Sequence, residues 1–133
     1  MKKYEINSEG RVVALRNFGT VKAGDVGGFV ESEHNLSHDG DCWVFGDAEV
    51  TGHAQVSGNA RVSDYAWVSG NARVSWDARV SDYALISGNA RVSGNARVSD
   101  EGRVSGNAWV SGDARVFDNA RVSGDAWVYG DVV

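Results

Sequence analysis

The chain lacks proline altogether and carries a single cysteine, Cys42, a single methionine and only three leucines in 133 residues. One cysteine excludes an internal disulfide, and the small-residue register in which Cys42 falls marks it as a buried core thiol. Scarce leucine against abundant valine excludes a broad globular core and implies a narrow apolar column. With no proline and 17 glycines, the bends fall to glycine, as a stack of tight turns in one domain requires. Positive charge is the minority: 13 Lys and Arg against 18 Asp and Glu give a formal net charge of -5, which argues against a general nucleic-acid binder. Long apolar runs are missing too. Met1, Lys2 and Lys3 lead into Tyr4, Glu5 and Ile6, so no signal peptide or membrane span is read, no membrane partner is expected, and a cytoplasmic location is.

What the chain has is a six-residue word. The stretch from Gly88 to Ser99 writes Gly-Asn-Ala-Arg-Val-Ser twice, and variants fill residues 42–131 as fifteen words without a slip. The third residue of every word, from Val44 to Val128, is Val or Ile; two residues earlier stands a small residue, mostly Ala, with Cys42 and Gly102 as exceptions. On an α-helix of about 3.6 residues per turn a step of six would spiral and bury nothing together. On a strand, Ala60 and Val62 point one way and Arg61 and Ser63 the other. The Gly-Asn pair then turns the corner, where a left-handed backbone favours Gly, Asn and Asp.

A slower period closes the coil. The bends Asp64-Tyr65, Asp82-Tyr83, Asp100-Glu101 and Asp118-Asn119 recur at a step of 18, so three words make one turn and the array holds five complete coils. Stacked at about 4.8 Å, such coils form a parallel β-helix. The pattern resembles the hexapeptide-repeat superfamily, best known from acyl-CoA-dependent and acyl-carrier-dependent acyltransferases. That resemblance, rather than the spacing, implies left-handedness. The expected fold is all-β: a left-handed parallel β-helix with triangular coils of 18 residues and an N-terminal β-hairpin cap.

Residues 2–6 and 11–16 flank a turn-rich quartet and read as a hairpin that covers the otherwise unpaired first edge. The expected organisation is a hairpin cap over 1–18, an irregular first coil over 19–41 and the regular hexapeptide β-helix over 42–133, all in one structural domain. Val30 and Leu36 are six apart but Leu36 and Val44 eight, as if two residues were inserted around His38 and Asp39. The run from Val21 to Val30, with Leu36-Ser37 and Gly40 to Val44, is similar to the N-terminal region of acyltransferase-like hexapeptide proteins of enterobacteria and their phages. At the other end Val132 and Val133 begin a sixteenth word, and an open edge is expected there beside Trp127 and Tyr129.

Stacking words by 18 turns the sequence into outward columns. Face one carries Trp43, Arg61, Arg79, Arg97 and Arg115; face two Glu49, Trp67, Leu85, Arg103 and Arg121; face three Gln55, Arg73, Arg91, Trp109 and Trp127, with Tyr129 alongside. The column Asp64, Asp82, Asp100, Asp118 is expected to neutralise the face-one arginines as an exposed ion ladder. The sharper alternatives are an anion site on the arginines and a cation site on the acidic corner, although side chains diverging from a stack do not converge as calcium requires. Ranks of threonine suited to ice binding are absent, since only Thr51 falls in a repeat.

The acyltransferase resemblance implies a histidine general base near a projecting loop, because proton abstraction needs a group titrating near neutrality. The chain has His34, His38 and His53, none beside a long loop. His53 reads as a bend residue, and His38, in the inserted loop, is the one catalytic candidate to test. The γ-class carbonic anhydrases share this fold and bind zinc through histidines, but their paired spacing is not reproduced, so no metal is expected. No cofactor is expected either, acyl-CoA entering only with the acyltransferase alternative.

The leading expectation is a non-enzymatic structural or binding module of bacterial or phage origin, presenting rigid faces for self-assembly or partner binding. The alternatives are an acyltransferase-like enzyme and a phage protein, located in the host cytoplasm, that mimics or sequesters a charged host ligand. The expected binding or interface residues are Trp109, Trp127, Tyr129, Trp67, Arg61, Arg79, Arg97 and Arg115. A homo-oligomer is expected, a trimer first, with a protein, a glycan or an anionic small molecule as further partners.

Overall fold

Alternation of small inward residues with polar outward ones produces a two-residue strand in every word, fifteen in all, from Trp43–Val44 to Trp127–Val128. A computed structural model describes residues 2–130; Asp131 and the sixteenth word, Val132 and Val133, lie outside the described residues. Successive strands fall on three different sheets, and each pairs in parallel with the strand one coil away. Arg61 thus lies opposite Arg79, Arg79 opposite Arg97 and Arg97 opposite Arg115. The other two faces repeat this pairing, with Trp67 opposite Leu85 and Trp109 opposite Trp127. The result is a three-sided parallel β-solenoid with an 18-residue coil.

Backbone groups close the ladder at every rung. Arg61 N–H donates to Ala78 O at 3.0 Å, Ser63 N–H to Val80 O at 2.8 Å and Tyr65 N–H to Asp82 O at 2.9 Å, and the same triplet recurs along the stack. Inside, Ala and Val positions from Ala48 to Val116 are almost completely buried. The core is one continuous column rather than a layer between two sheets.

The N-terminal segment extends one of the three sheets. Strands β1 (Tyr4–Ile6) and β2 (Arg11–Ala14) form an antiparallel hairpin, β2 pairs with β3 (Val26–Val30), and β3 pairs in parallel with Glu49–Val50. Val30 lies opposite Val50 and Leu36 bridges to Val56, whereas Val44 lies opposite Val62. The first coil is therefore two residues longer than the others, and the excess falls around His38. Trp43 departs from its expected outward placement. Its position faces away from the column, yet it is only 2% exposed, because the N-terminal segment folds over it with Phe18 and Tyr4 edge-on at 5.2 and 6.1 Å.

The corners explain the fifth residue of each word. Gly52, Gly70, Gly88 and Gly106 all have φ between 64 and 67°, and a Cβ on Gly88 would stand 2.8 Å from the Gly106 nitrogen. The corner of Asp64, Asp82, Asp100 and Asp118 also has positive φ, from 62 down to 55°. There the side chain offsets the strain: Asp82 N–H donates to the Asp64 carboxylate at 3.2 Å, Asp100 N–H to that of Asp82 at 3.1 Å and Asp118 N–H to that of Asp100 at 3.0 Å.

Val80, wholly buried in a middle coil, separates inside from outside in a direct test. Val80→Asp should destabilise the fold by several kcal/mol by burying an unpaired charge, while Arg79→Ser next to it should stay within about 0.5 kcal/mol of wild type. Equal urea midpoints for the two variants would contradict the inward and outward assignment.

Candidate anion-binding groove

Face one carries a long open concavity. Arg61, Arg79, Arg97 and Arg115 run along it in register, and Asn59, Asp77, Asn95 and Asp113, two residues earlier in each coil, form its other wall; the open groove between them is about 740 Å³. Asn59 Nδ2 donates to Asp77 Oδ1 and Asn95 Nδ2 to Asp113 Oδ1, each at 3.3 Å. On the far side of the arginines lie Ser63, Ser81 and Ser99, with Phe45 at one end of that row and Phe117 at the other.

The expected ion ladder does not form. Among the described residues the ion pairs are Lys2 with Glu33, Arg11 with Asp47 and His38 with Glu33; no arginine of the repeat columns has a carboxylate oxygen within 4.0 Å. The acidic corner is engaged otherwise, the carboxylates of Asp64, Asp82 and Asp100 accepting the backbone N–H groups of the next coil. Four guanidinium groups against the two carboxylates of Asp77 and Asp113 leave the groove positive on a chain whose net charge is -5. Rungs about 4.8 Å apart place neighbouring unit charges at a mutual cost of about 1 kcal/mol in water, relieved by splaying or by an anion between them.

Sequence reasoning missed Trp76. It stands where Gly58, Gly94 and Gly112 stand on the same corner, and it adopts φ 60°, an expensive conformation for a bulky residue. Its indole is 71% exposed, with no aromatic partner among the described residues. A shallower depression lined by Ser57, Gly58, Asn59, Ser75, Trp76 and Asp77 shares Asn59 and Asp77 with the arginine groove. The available signal was a tryptophan occupying a glycine slot in a periodic column. Strain tolerated beside a concave, charged surface is a recurrent feature of binding sites.

The other aromatic columns behave differently. Trp109 and Trp127 stack at 5.0 Å with planes 6° apart, Arg91 covers Trp109 at 5.7 Å, and Tyr129 leans on Trp127 at 5.8 Å. Their ring faces are turned toward each other along the stack, so they offer edges rather than a flat platform. Tyr65 and Tyr83 repeat this at 5.3 Å. Trp67 donates its indole N–H to Thr51 Oγ1 at 2.9 Å, which holds the ring against the coil above.

The histidines gather at the N-terminal end but not around an open cleft. His38 stacks on Tyr4 at 4.2 Å, accepts the Lys3 backbone N–H on Nδ1 at 3.1 Å and places Nε2 2.8 Å from Glu33 Oε1. The Lys3 donor fixes Nδ1 as acceptor, so the ring proton sits on Nε2 and is held by Glu33. With Lys2, that hydrogen bond holds the Glu33 carboxyl below its usual range. His34 Nε2 meets Gln55 Nε2 at 2.9 Å, and His53 is an exposed bend residue.

Below His38 lies a second feature that the sequence hid. The Lys3 ammonium is buried, donating to Cys42 O at 2.8 Å and Gly40 O at 3.2 Å, 3.4 Å from Cys42 Sγ and 4.7 Å from the Phe18 ring centre. Burial lowers the Lys3 pKa and raises that of Cys42, which is buried as expected.

Among the described residues no helix is long and apolar enough to cross a membrane. No curated protein matches the chain. Three stretches, residues 54–70, 84–100 and 114–130, each close to one coil long, match the family model described as the YdcK beta solenoid repeat. That description names a repeat and no activity. By its repeats and by its fold alike, the chain is a β-solenoid repeat protein with a hexapeptide-repeat-like parallel β-helix, similar over those three stretches to the YdcK repeat.

Proposed function

We propose that the protein is a non-enzymatic binding module that presents the face-one groove to an anionic partner. One observation carries this reading: Arg61, Arg79, Arg97 and Arg115 stand in register along a concave face, and among the described residues no carboxylate lies at ion-pairing distance from them. Guanidinium groups bind carboxylate, sulfate and phosphate through paired N–H donors, so such a row is an anion comb. Binding is set before acyl transfer because His38, the residue expected as general base, has both ring nitrogens committed to Lys3 and Glu33. Rigid strands at fixed spacing hold the guanidinium roots in place, which reduces the ordering cost of binding a ligand with several charges.

The groove is tested by calorimetric titration with sodium tripolyphosphate. The wild type should bind it, weakening steeply as salt is raised. Arg79→Ala with Arg97→Ala should lose about tenfold or more in affinity, and Arg73→Ala with Arg121→Ala, on the other faces, should bind like wild type. Equal affinities for the two double variants would remove the groove as the site.

Face three supports self-assembly as a second reading, because Trp109, Trp127 and Tyr129 leave a contiguous aromatic surface exposed. A ladder of ring edges with covered faces suits packing against another protein surface better than stacking on a sugar. Light scattering should give an oligomer for the wild type, a trimer first, and a monomer for Trp109→Ala with Trp127→Ala. A wild type that stays monomeric at millimolar concentration would overturn the self-assembly reading.

A further inference from the structure

The chemistry of the groove is mixed. Beside the four guanidinium donors stand two carboxylates, Asp77 and Asp113, each accepting one amide N–H and each with acceptor capacity to spare. A ligand made only of phosphates would be repelled by those carboxylates and would have nothing to donate to them. A nucleic-acid strand meets the same objection, and the overall acidity of the chain adds to it. A ligand carrying both anionic groups and hydroxyls uses every wall: anions on the arginines, hydroxyl donors on Asp77 and Asp113, and hydroxyl contacts with the serine row.

Trp76 completes the set. Its ring, unlike those of Trp109 and Trp127, has no aromatic neighbour among the described residues, and it borders the depression that shares Asp77 and Asn59 with the groove. An exposed flat indole beside hydroxyl-binding carboxylates and amides is what a pyranose ring needs: an apolar C–H face for the indole and equatorial hydroxyls for the polar groups. The conformation at φ 60° is costly, and glycine at the same corner in neighbouring coils avoids that cost. The fold itself gains nothing visible from the indole, and a ligand would.

Resting on the groove as an anion site, we propose that its ligand is a linear acidic glycan, a chain of uronate or sulfated sugar units lying along the stack with its anionic groups on the arginine column and a sugar ring against Trp76. Four rungs at about 4.8 Å spread the arginine roots over about 14 Å, so affinity should rise with oligomer length until the chain spans the column and then level off. Phe45 and Phe117 mark the ends of the adjoining serine row.

The test uses the full chain and three probes: oligogalacturonates of defined length, the corresponding neutral galactose oligomers, and tripolyphosphate. The wild type should bind oligogalacturonate more tightly than tripolyphosphate and should not bind the neutral oligomers. Asp77→Ala with Asp113→Ala should weaken oligogalacturonate and strengthen tripolyphosphate, because the hydroxyl acceptors and the repulsion disappear together. Trp76→Gly should raise the unfolding midpoint, by relieving the left-handed strain, while lowering oligogalacturonate affinity about fivefold or more. If the carboxylate variant tightens both anionic probes, or Trp76→Gly binds oligogalacturonate as wild type does, the glycan assignment is overturned and the anion site stands. If neither anionic probe binds the wild type, both readings fall.

Discussion

Every coil must settle on the next with its corners in a left-handed backbone conformation and its backbones almost in contact. That constraint governs which residues can occupy the corners, and through them the register of everything else. Where glycine stacks on glycine, as from Gly70 through Gly106, a side chain has no room without a shift of the next corner. Where aspartate stacks on aspartate, each carboxylate satisfies the backbone N–H of the coil beyond, so the corner carries its own compensation. The choice between the two chemistries is made per corner and not per word, which is why the repeat of six conceals a repeat of 18.

Much of this was legible from spacing. Inward Val and Ala, outward columns and the coil length depend only on strand alternation and an unbroken period, and the paired strands reproduce the expected columns residue for residue. The two-residue excess around His38 was legible for the same reason, since it interrupts the period. Features set by non-repeating contacts were not. Nothing local to Lys3 says that its ammonium will lie among the carbonyls of Gly40 and Cys42, and nothing in the periodic position of Trp43 says that Phe18 will cover it. The ion ladder failed for a subtler reason. Sequence proximity put Asp82 near Arg79, but a positive-φ corner directs that carboxylate to the next coil's backbone before it can reach a guanidinium.

The same competition produces the groove. Once the backbone has claimed the carboxylates of Asp64, Asp82 and Asp100, the arginines on that face have lost three of the partners that the composition offers. The groove wall on the other side is half amide and half carboxylate, with each Asn donating to the Asp below it. Partial self-satisfaction of that wall leaves acceptors over, while the arginines are left as donors. A chain acidic overall thus holds a local surface that is positive and rich in both hydrogen-bonding roles.

Stacking also decides what each aromatic can do. Trp109 and Trp127 occupy strand positions one coil apart, and a rise close to the spacing of stacked rings makes them partners for each other. Trp76 occupies a corner whose neighbours in the column are Gly58 and Gly94, so no ring lies above or below it to cover its faces. Position in the coil, rather than residue type, therefore separates a tryptophan that binds the stack together from one that stands exposed at a corner without an aromatic partner among the described residues. A strained corner that leaves an indole open costs the fold stability. Glycine at the same corner, as at Gly58 and Gly94, avoids that cost, so the corner of Trp76 is where the repeat departs from what the fold alone favours.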